Sequence, residues 1–243
     1  MSIKDRDNIL KDRFQPLLER VQKAINFYNM INKGDKVLVA VSGGKDSLSM
    51  MHILDYFSKN RIYEFELLAC NVDLGYGCAN KDVLKNHMDT YGIKHIFVEN
   101  DILNGKTREE IGCFWCSWNR RKTLFETVDS QGCNKLSLGH HLDDIINTAL
   151  LNILFHGEIS TSPPYLTMFN GAFTLIRPLC YIKEEETEEL AQALKIPLPC
   201  CSCPHKPGSK RTFISQTLEP IFKNFPEARG NVLKALAGLK KNR

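Results

Sequence analysis

Short β-branched runs alternate with longer helical stretches through the middle of this chain, and that rhythm leaves few folds open. Val37-Leu-Val-Ala-Val41 reads as a buried strand, followed by a glycine-rich turn and a helix over about 47–57. Glu66-Leu-Leu-Ala-Cys-Asn-Val72 reads as a second strand, with a helix over about 81–91 behind it. Lys94-His-Ile-Phe-Val98 and Lys135-Leu-Ser-Leu138 supply a third and a fourth, with helical stretches over about 118–131 and 143–155. Apolar strands separated by helices are the pattern of a parallel sheet, because each parallel pair needs a crossover that returns across a sheet face. The expected fold is α/β and doubly wound, a mostly parallel sheet with helices on both faces. Helices are also expected at the flanks. One, over about 13–30, carries Leu17, Leu18, Val21, Ala24, Ile25 and Tyr28 near helical spacing. The other, over about 213–239, is broken near Pro226. The chain is thus expected to divide into a helical segment at 1–33, a central domain at 34–200 and a tail at 201–243.

Composition excludes several classes. At 243 residues, with 43% hydrophobic and 25% charged residues, the chain can bury a core and is neither disordered nor fibrous. No apolar run approaches the ~20 residues of a membrane span, and the mixed-charge start Met1-Ser-Ile-Lys-Asp-Arg-Asp does not read as a signal peptide. A cytoplasmic protein with no membrane partner is expected. The net charge of +4 is too mild to argue for nucleic acid by itself. The basic runs at 205–211 and 239–243 and the acidic run at 184–189 read as solvated faces. Nine cysteines, odd in number and unevenly spaced, do not make a secreted disulfide framework and point instead to metal or thiol chemistry.

Ser42-Gly43-Gly44-Lys45-Asp46-Ser47 follows the first strand and opens a helix. Glycines let the backbone turn tightly, and a helix start offers unpaired N–H donors and partial positive charge. With the Lys45 ammonium and the Ser42 and Ser47 hydroxyls, the loop suits a phosphate or pyrophosphate. It fits neither the kinase and GTPase P-loop nor G-x-G-x-x-G. Cys113-Phe-Trp-Cys116 and the Cys200-Cys201-Ser202-Cys203 run can be redox dithiols, a Cys₄ zinc site or part of an iron–sulfur site. Cys70, Cys133 and Cys180 lie in or beside apolar segments and read as buried thiols. In Gly139-His-His-Leu-Asp-Asp144 the two carboxylates open a helix after the fourth strand, where they can hold Mg²⁺, move a proton or cap the helix. His140 and His141 can contact nucleotide or be structural. Arg120 and Arg121 can neutralise phosphate, hold RNA backbone or form an exposed helix face. Trp115 and Trp118 can stack on a base or shield apolar bulk.

The loop at 42–47 resembles the PP-loop of the N-type ATP pyrophosphatases, which cleave ATP between the α and β phosphates. The order PP-loop, C-x-x-C with Arg120-Arg121, G-H-H-L-D-D, Ile176-Arg-Pro-Leu179 and P-C-x-x-C resembles the tRNA 2-thiocytidine synthetases and their 2-thiouridine relatives, from about residue 22 to near the C-terminus. The resemblance implies an ATP-dependent tRNA sulfurtransferase that adenylates the C2 oxygen of a pyrimidine, most simply a cytidine in the anticodon loop. The cofactors implied are ATP, Mg²⁺ and a [4Fe-4S] cluster held by Cys113, Cys116 and Cys200, with Cys203 as the alternative third ligand. Asp143 is implied as catalytic, together with Lys45 and Arg120. ATP contacts are implied for Ser42, Gly43, Gly44, Lys45, Asp46, Ser47, Asp73, Gly139, His140 and Asp144. The implied partners are tRNA and a sulfur donor, either sulfide or a cysteine desulfurase or carrier, in a homodimer. The rival readings are a 2-thiouridine or lysidine-type enzyme and a non-catalytic Cys₄ zinc module that binds RNA.

Overall fold

Strand β1 (Lys36–Ala40) turns Val37 and Val39 to one face of the sheet and Leu38 to the other, and all three are fully buried. A strand buried on both faces needs helices on both sides, and the computed structural model supplies them. It describes residues 1–75, 81–103, 105–107, 109–198 and 209–239. Helix α1 (Ile3–Arg13) and α2 (Gln15–Tyr28) lead into β1, followed by α3 (Lys45–Lys59), β2 (Glu66–Asp73), α4 (Lys81–Thr90) and β3 (His95–Glu99). Then come α5 (Cys113–Ser130), β4 (Lys135–Ser137) and α6 (Leu142–His156). The strands β5 (Tyr165–Met168) and β6 (Phe173–Ile176) precede α7 (Glu184–Ala193), α8 (Lys210–Asn224) and α9 (Ala228–Leu239).

The sheet order is β3-β2-β1-β4-β6-β5, parallel except for the β5–β6 pair. From β1 the chain winds outward through β2 and β3, then returns to place β4 on the other side of β1. The winding reverses between β1 and β4, and such a switch point opens a crevice at the C-terminal ends of the strands. The larger core fills the face carrying Val37 and Val39, with Leu17, Val21 and Ile25 of α2, Leu48 and Met51 of α3 and Leu190 of α7. The opposite face packs Leu38 and Leu136 under Leu124 and Val128 of α5. Leu142 and Ile146 of α6 meet Phe222 of α8 in a separate cluster, so the C-terminal helices dock directly behind the crevice.

The doubly wound expectation holds. Three elements were not foreseen. Helix α1 is almost wholly polar: only Arg6 and Leu10 are buried, and it is fixed by a capping box between Ser2 and Asp5. The Arg6 guanidinium, fully buried, bonds Asp55 of α3 at 2.5 Å, so a buried ion pair anchors α1 beside Leu10 of the core. The β5–β6 hairpin is short and half exposed along β5. The acidic run at 184–189 is the first two turns of α7, where carboxylates suit the positive end of the helix dipole. The break near Pro226 is where expected, between α8 and α9. No helix of the described residues is long and apolar enough to cross a membrane.

Candidate functional site

The loop after β1 is held by its own hydroxyls. Gly43 adopts φ +86°, a left-handed conformation that side-chain-bearing residues resist. The Ser42 N–H donates to Ser47 Oγ at 3.1 Å, the two hydroxyl oxygens lie 3.0 Å apart, and the Gly44 N–H reaches Ser42 Oγ at 3.3 Å. Ser47 Oγ donates back to the Gly44 carbonyl at 2.9 Å. Gly44 is the N-cap of α3 and brings no side-chain cap. The first turn of α3 therefore keeps backbone N–H groups available to an anion. Lys45 Nζ bonds the carboxylates of Asp46 and of Glu184, each at 3.0 Å. Burial works to lower the Lys45 pKa, but the two carboxylates outweigh it and hold the ammonium above its ordinary value. Asp46 also accepts from Thr187 Oγ1 at 2.5 Å, which ties the loop to α7.

The loop after β4 closes on this cradle from the other side of the switch point. A Cβ on Gly139 would lie 2.9 Å from both Cα and N of Ser47, so only glycine permits the approach. His140 Nδ1 accepts from Arg177 Nε at 3.1 Å, which leaves its proton on Nε2. Burial pushes the His140 pKa down to about 4, with the neighbouring arginines adding to the effect and Asp144 opposing it. The ring is a neutral donor at pH 7. His141 caps α6: its Nδ1 accepts the Asp144 N–H at 3.3 Å and its own N–H donates to the Asp144 carboxylate at 3.1 Å.

The adjacent carboxylates diverge. Asp144 lines the cavity, and Arg211 of α8 bonds its second oxygen. Burial works to raise the Asp144 pKa, but the adjoining histidine rings, the Arg211 guanidinium and the His141 backbone N–H outweigh it and hold the carboxyl below its ordinary value. Asp143 faces the other way. It accepts the Glu184 N–H at 2.8 Å, the start of α7, and Arg229 Nε of α9 at 2.7 Å, and it is buried away from the cavity lining.

Between the loops lies a cavity of about 330 Å³. Of the expected nucleotide residues, Ser42, Gly44, Asp46, Ser47, Gly139, His140 and Asp144 line it, and Arg120 reaches it from α5. Gly43 and Lys45 belong to the loop without lining the cavity. Asp73, at the end of β2, accepts the Gly75 N–H at 3.0 Å, and its neighbour Val72 is the cavity residue.

Helix α5 begins with the first cysteine pair, also on an uncapped glycine, Gly112. Cys113 is exposed and Cys116 half-buried. Residues 113, 116 and 120 fall on one side of the helix, and seven residues span about 10 Å along its axis. The thiols and the cavity arginine are therefore two turns apart on one rigid element. Two free thiols one turn apart fit two ligands of an iron–sulfur cluster. Among the described residues no group of three metal-ligating side chains forms, and Cys200 and Cys203 lie outside the described residues. Cys70, Cys133 and Cys180 are buried; burial pushes Cys70 and Cys180 up to about 12, so these thiols stay protonated.

The profile of the PP-loop domain matches residues 16–220. The chain belongs to the PP-loop family. A tRNA-cytidine(32) 2-sulfurtransferase of Geotalea uraniireducens is 35% identical over 238 residues, 95% of this PP-loop chain and 94% of that protein. One of Anaeromyxobacter sp. (strain K) is 34% identical over 230 residues, 91% of this chain and 78% of that protein. Among solved structures, the U34-tRNA thiolase NcsA from Methanococcus maripaludis, with its [4Fe-4S] cluster, superposes with a TM-score of 0.77 at 25% identity. The match covers 93% of this chain and 78% of that one.

Sequence reading passed over Arg211, Arg229, Glu184 and Thr187, which reach the phosphate loop or the first turn of α6 in this PP-loop protein from α7–α9. They carry no local motif, and only the docking of the C-terminal helices brings them there. Arg177 was visible within Ile176-Arg-Pro-Leu179, but its hold on His140 was not.

Proposed function

We propose that this protein is an ATP-dependent tRNA sulfurtransferase that converts a cytidine of the anticodon loop, at position 32, to 2-thiocytidine. The observation that carries the reading is the sharing of α5 by the Cys113–Cys116 pair and Arg120, because sulfur delivery and adenylation must converge on one base. The C2 oxygen of a pyrimidine is a poor leaving group. Attack by that oxygen on the α phosphorus of ATP expels pyrophosphate; a sulfur nucleophile then adds to C2, and AMP departs with the oxygen.

The chain's own residues would divide the work by position. The loop N–H groups and the Ser42 and Ser47 hydroxyls bind phosphate, and Lys45 supplies charge when ATP displaces one of its carboxylates. Arg120 neutralises the charge that develops during adenylation. His140 donates from Nε2. Asp144 holds Mg²⁺ on the phosphates, and Asp143 positions α6 against α7 and α9 while Asp144 faces the nucleotide. Cys113, Cys116 and Cys200 or Cys203 would hold the cluster, which supplies a soft iron site for hydrosulfide. Sulfide or a desulfurase-fed carrier is the donor, and the enzyme acts in the cytoplasm as a homodimer.

Anaerobically purified protein tests this. Brown protein containing iron and acid-labile sulfide, releasing AMP and pyrophosphate only with unmodified tRNA, supports it. Colourless protein with one zinc and no AMP release contradicts it. A second reading, 2-thiouridine formation, is favoured by the resemblance to the U34-tRNA thiolase. The longer and closer match to cytidine-acting relatives favours cytidine.

A further inference from the structure

The face of α5 turned away from the core is aromatic and basic, and nothing in the site above uses it. Trp115 and Trp118 stack on each other with centroids 5.4 Å apart and planes 14° from parallel. Lys122 Nζ lies over the Trp118 ring, 5.6 Å from its centroid. Residues 115, 118 and 122 fall on one stripe, with Trp118 in the middle of the ladder and Trp115 at its end. Leu124, Thr127 and Val128, which are buried, lie on the opposite side of α5. Trp115 is 49% exposed, Trp118 41% and Phe114 beside them 75%. Large aromatic rings are normally placed where they bury area, so three of them in solvent on one helical turn mark a surface that meets something.

The flanking charges say what. Arg121 adjoins the stripe, its Nε donating to the Ser117 carbonyl at 3.2 Å. Among the described residues, Lys122 has only the distant carboxylate of Glu126, at 3.8 Å, as an ion partner. Flat rings beside cations are the composition of a single-stranded nucleic-acid platform: the rings take bases face to face and the cations take phosphates. Resting on the tRNA reading above, we propose that Trp115 and Trp118 form a stacking platform for an unpaired anticodon-loop base flanking the target. Arg121 and Lys122 hold the phosphates of the same strand. A helix with its side chains is about 10–12 Å across, so a strand crossing α5 places one base on the outer platform and a near neighbour at the cavity on the inner side.

The chain contains two tryptophans, both in this platform, so intrinsic tryptophan emission reports on it alone. Holoprotein is titrated with a tRNA transcript bearing cytidine at position 32, following emission and filter retention together. Saturable quenching at the filter-binding Kd is the expected result. Trp115→Ala is expected to raise that Kd about tenfold, the loss of one stacked base. Trp118→Phe, which keeps an aromatic face, should stay within about twofold. The KM for ATP and the iron content should be unchanged in both. Arg121→Gln should lower the salt dependence of binding by about one phosphate contact. Wild-type protein that binds and thiolates the tRNA with unchanged emission overturns the platform alone. So does Trp115→Ala protein with an unchanged Kd. Protein that neither binds nor thiolates tRNA overturns the function and the platform with it.

Discussion

Helices α3 and α5 both start on a glycine without a side-chain cap, yet the two starts are built in opposite ways. At α3 the turn is closed by a dense set of hydroxyl and backbone bonds, and Ser47 is buried. At α5 Cys113 stands exposed, and its thiol makes no hydrogen bond among the described residues. The starts of α6 and α8, by contrast, are capped from within, by His141 with Asp144 and by Ser209. Leaving a helix start uncapped costs stability unless a ligand takes the N–H groups. The phosphate cradle is thus preformed, while under the proposed function the thiol start takes its third cluster ligand from far along the chain. Nucleotide binding should survive loss of the cluster.

The sharpest break of that contrast is Cys113→Ala or Cys116→Ala. Either should abolish iron retention and lower thiolation by more than about 100-fold, while calorimetric ATP affinity stays unchanged. Cys133→Ala should keep its iron. Weakened ATP binding in the Cys113 variant would mean that the two starts are coupled. Gly139→Ala attacks the preformed side. The added methyl meets backbone atoms of Ser47, and overpacking of this kind costs about 2 kcal/mol, or roughly 30-fold in ATP affinity, with the iron content intact.

Smaller effects separate the adjacent carboxylates. Asp143→Ala strips a buried cap from α7 and a partner from Arg229. It should cost about 2–3 kcal/mol and lower Tm by roughly 5–10 °C in a thermal melt. Asp144→Ala should move Tm less and ATP turnover more. The mildest change is Arg211→Gln. Asp144 has a pKa lowered in the fold, so its ionised form contributes above the ordinary carboxylate value and is lost as pH falls through the folded value. Removing the Arg211 charge lets that folded value rise, and the acid limb of the ATP-turnover profile moves to higher pH. His140, pushed down to about 4, should add no limb near its ordinary 6.5 in either protein.

The sheet and the phosphate cradle were legible because their signals are local. Apolar strands such as 37–41 and the Ser42–Ser47 string declare themselves within a few residues. Helix α1 escaped because its anchor is a buried Arg6–Asp55 pair rather than an apolar stripe. The resemblance implied an ATP contact for Asp144 and a catalytic role for Asp143, and the residues alone did not show that only Asp144 lines the cavity. Neighbours at a helix start point about 100° apart, and which one meets the nucleotide depends on where α7, α8 and α9 dock. The proximity of the cysteine pair to the cavity was half visible, since C-x-x-C and Arg120 stand within two turns of each other in sequence. That α5 begins at Cys113 rather than near residue 118, and so carries both on one rigid rod, came only from the fold.

The central claim is that one pocket charges a pyrimidine oxygen with AMP and replaces it by sulfur. Reconstituted holoprotein, given Mg-ATP, sulfide and an unmodified tRNA with cytidine at position 32, should be followed by nucleoside mass spectrometry alongside AMP release. The account predicts one 2-thiocytidine for each AMP formed. AMP release with cytidine left intact, or sulfur found only on uridine, would contradict it.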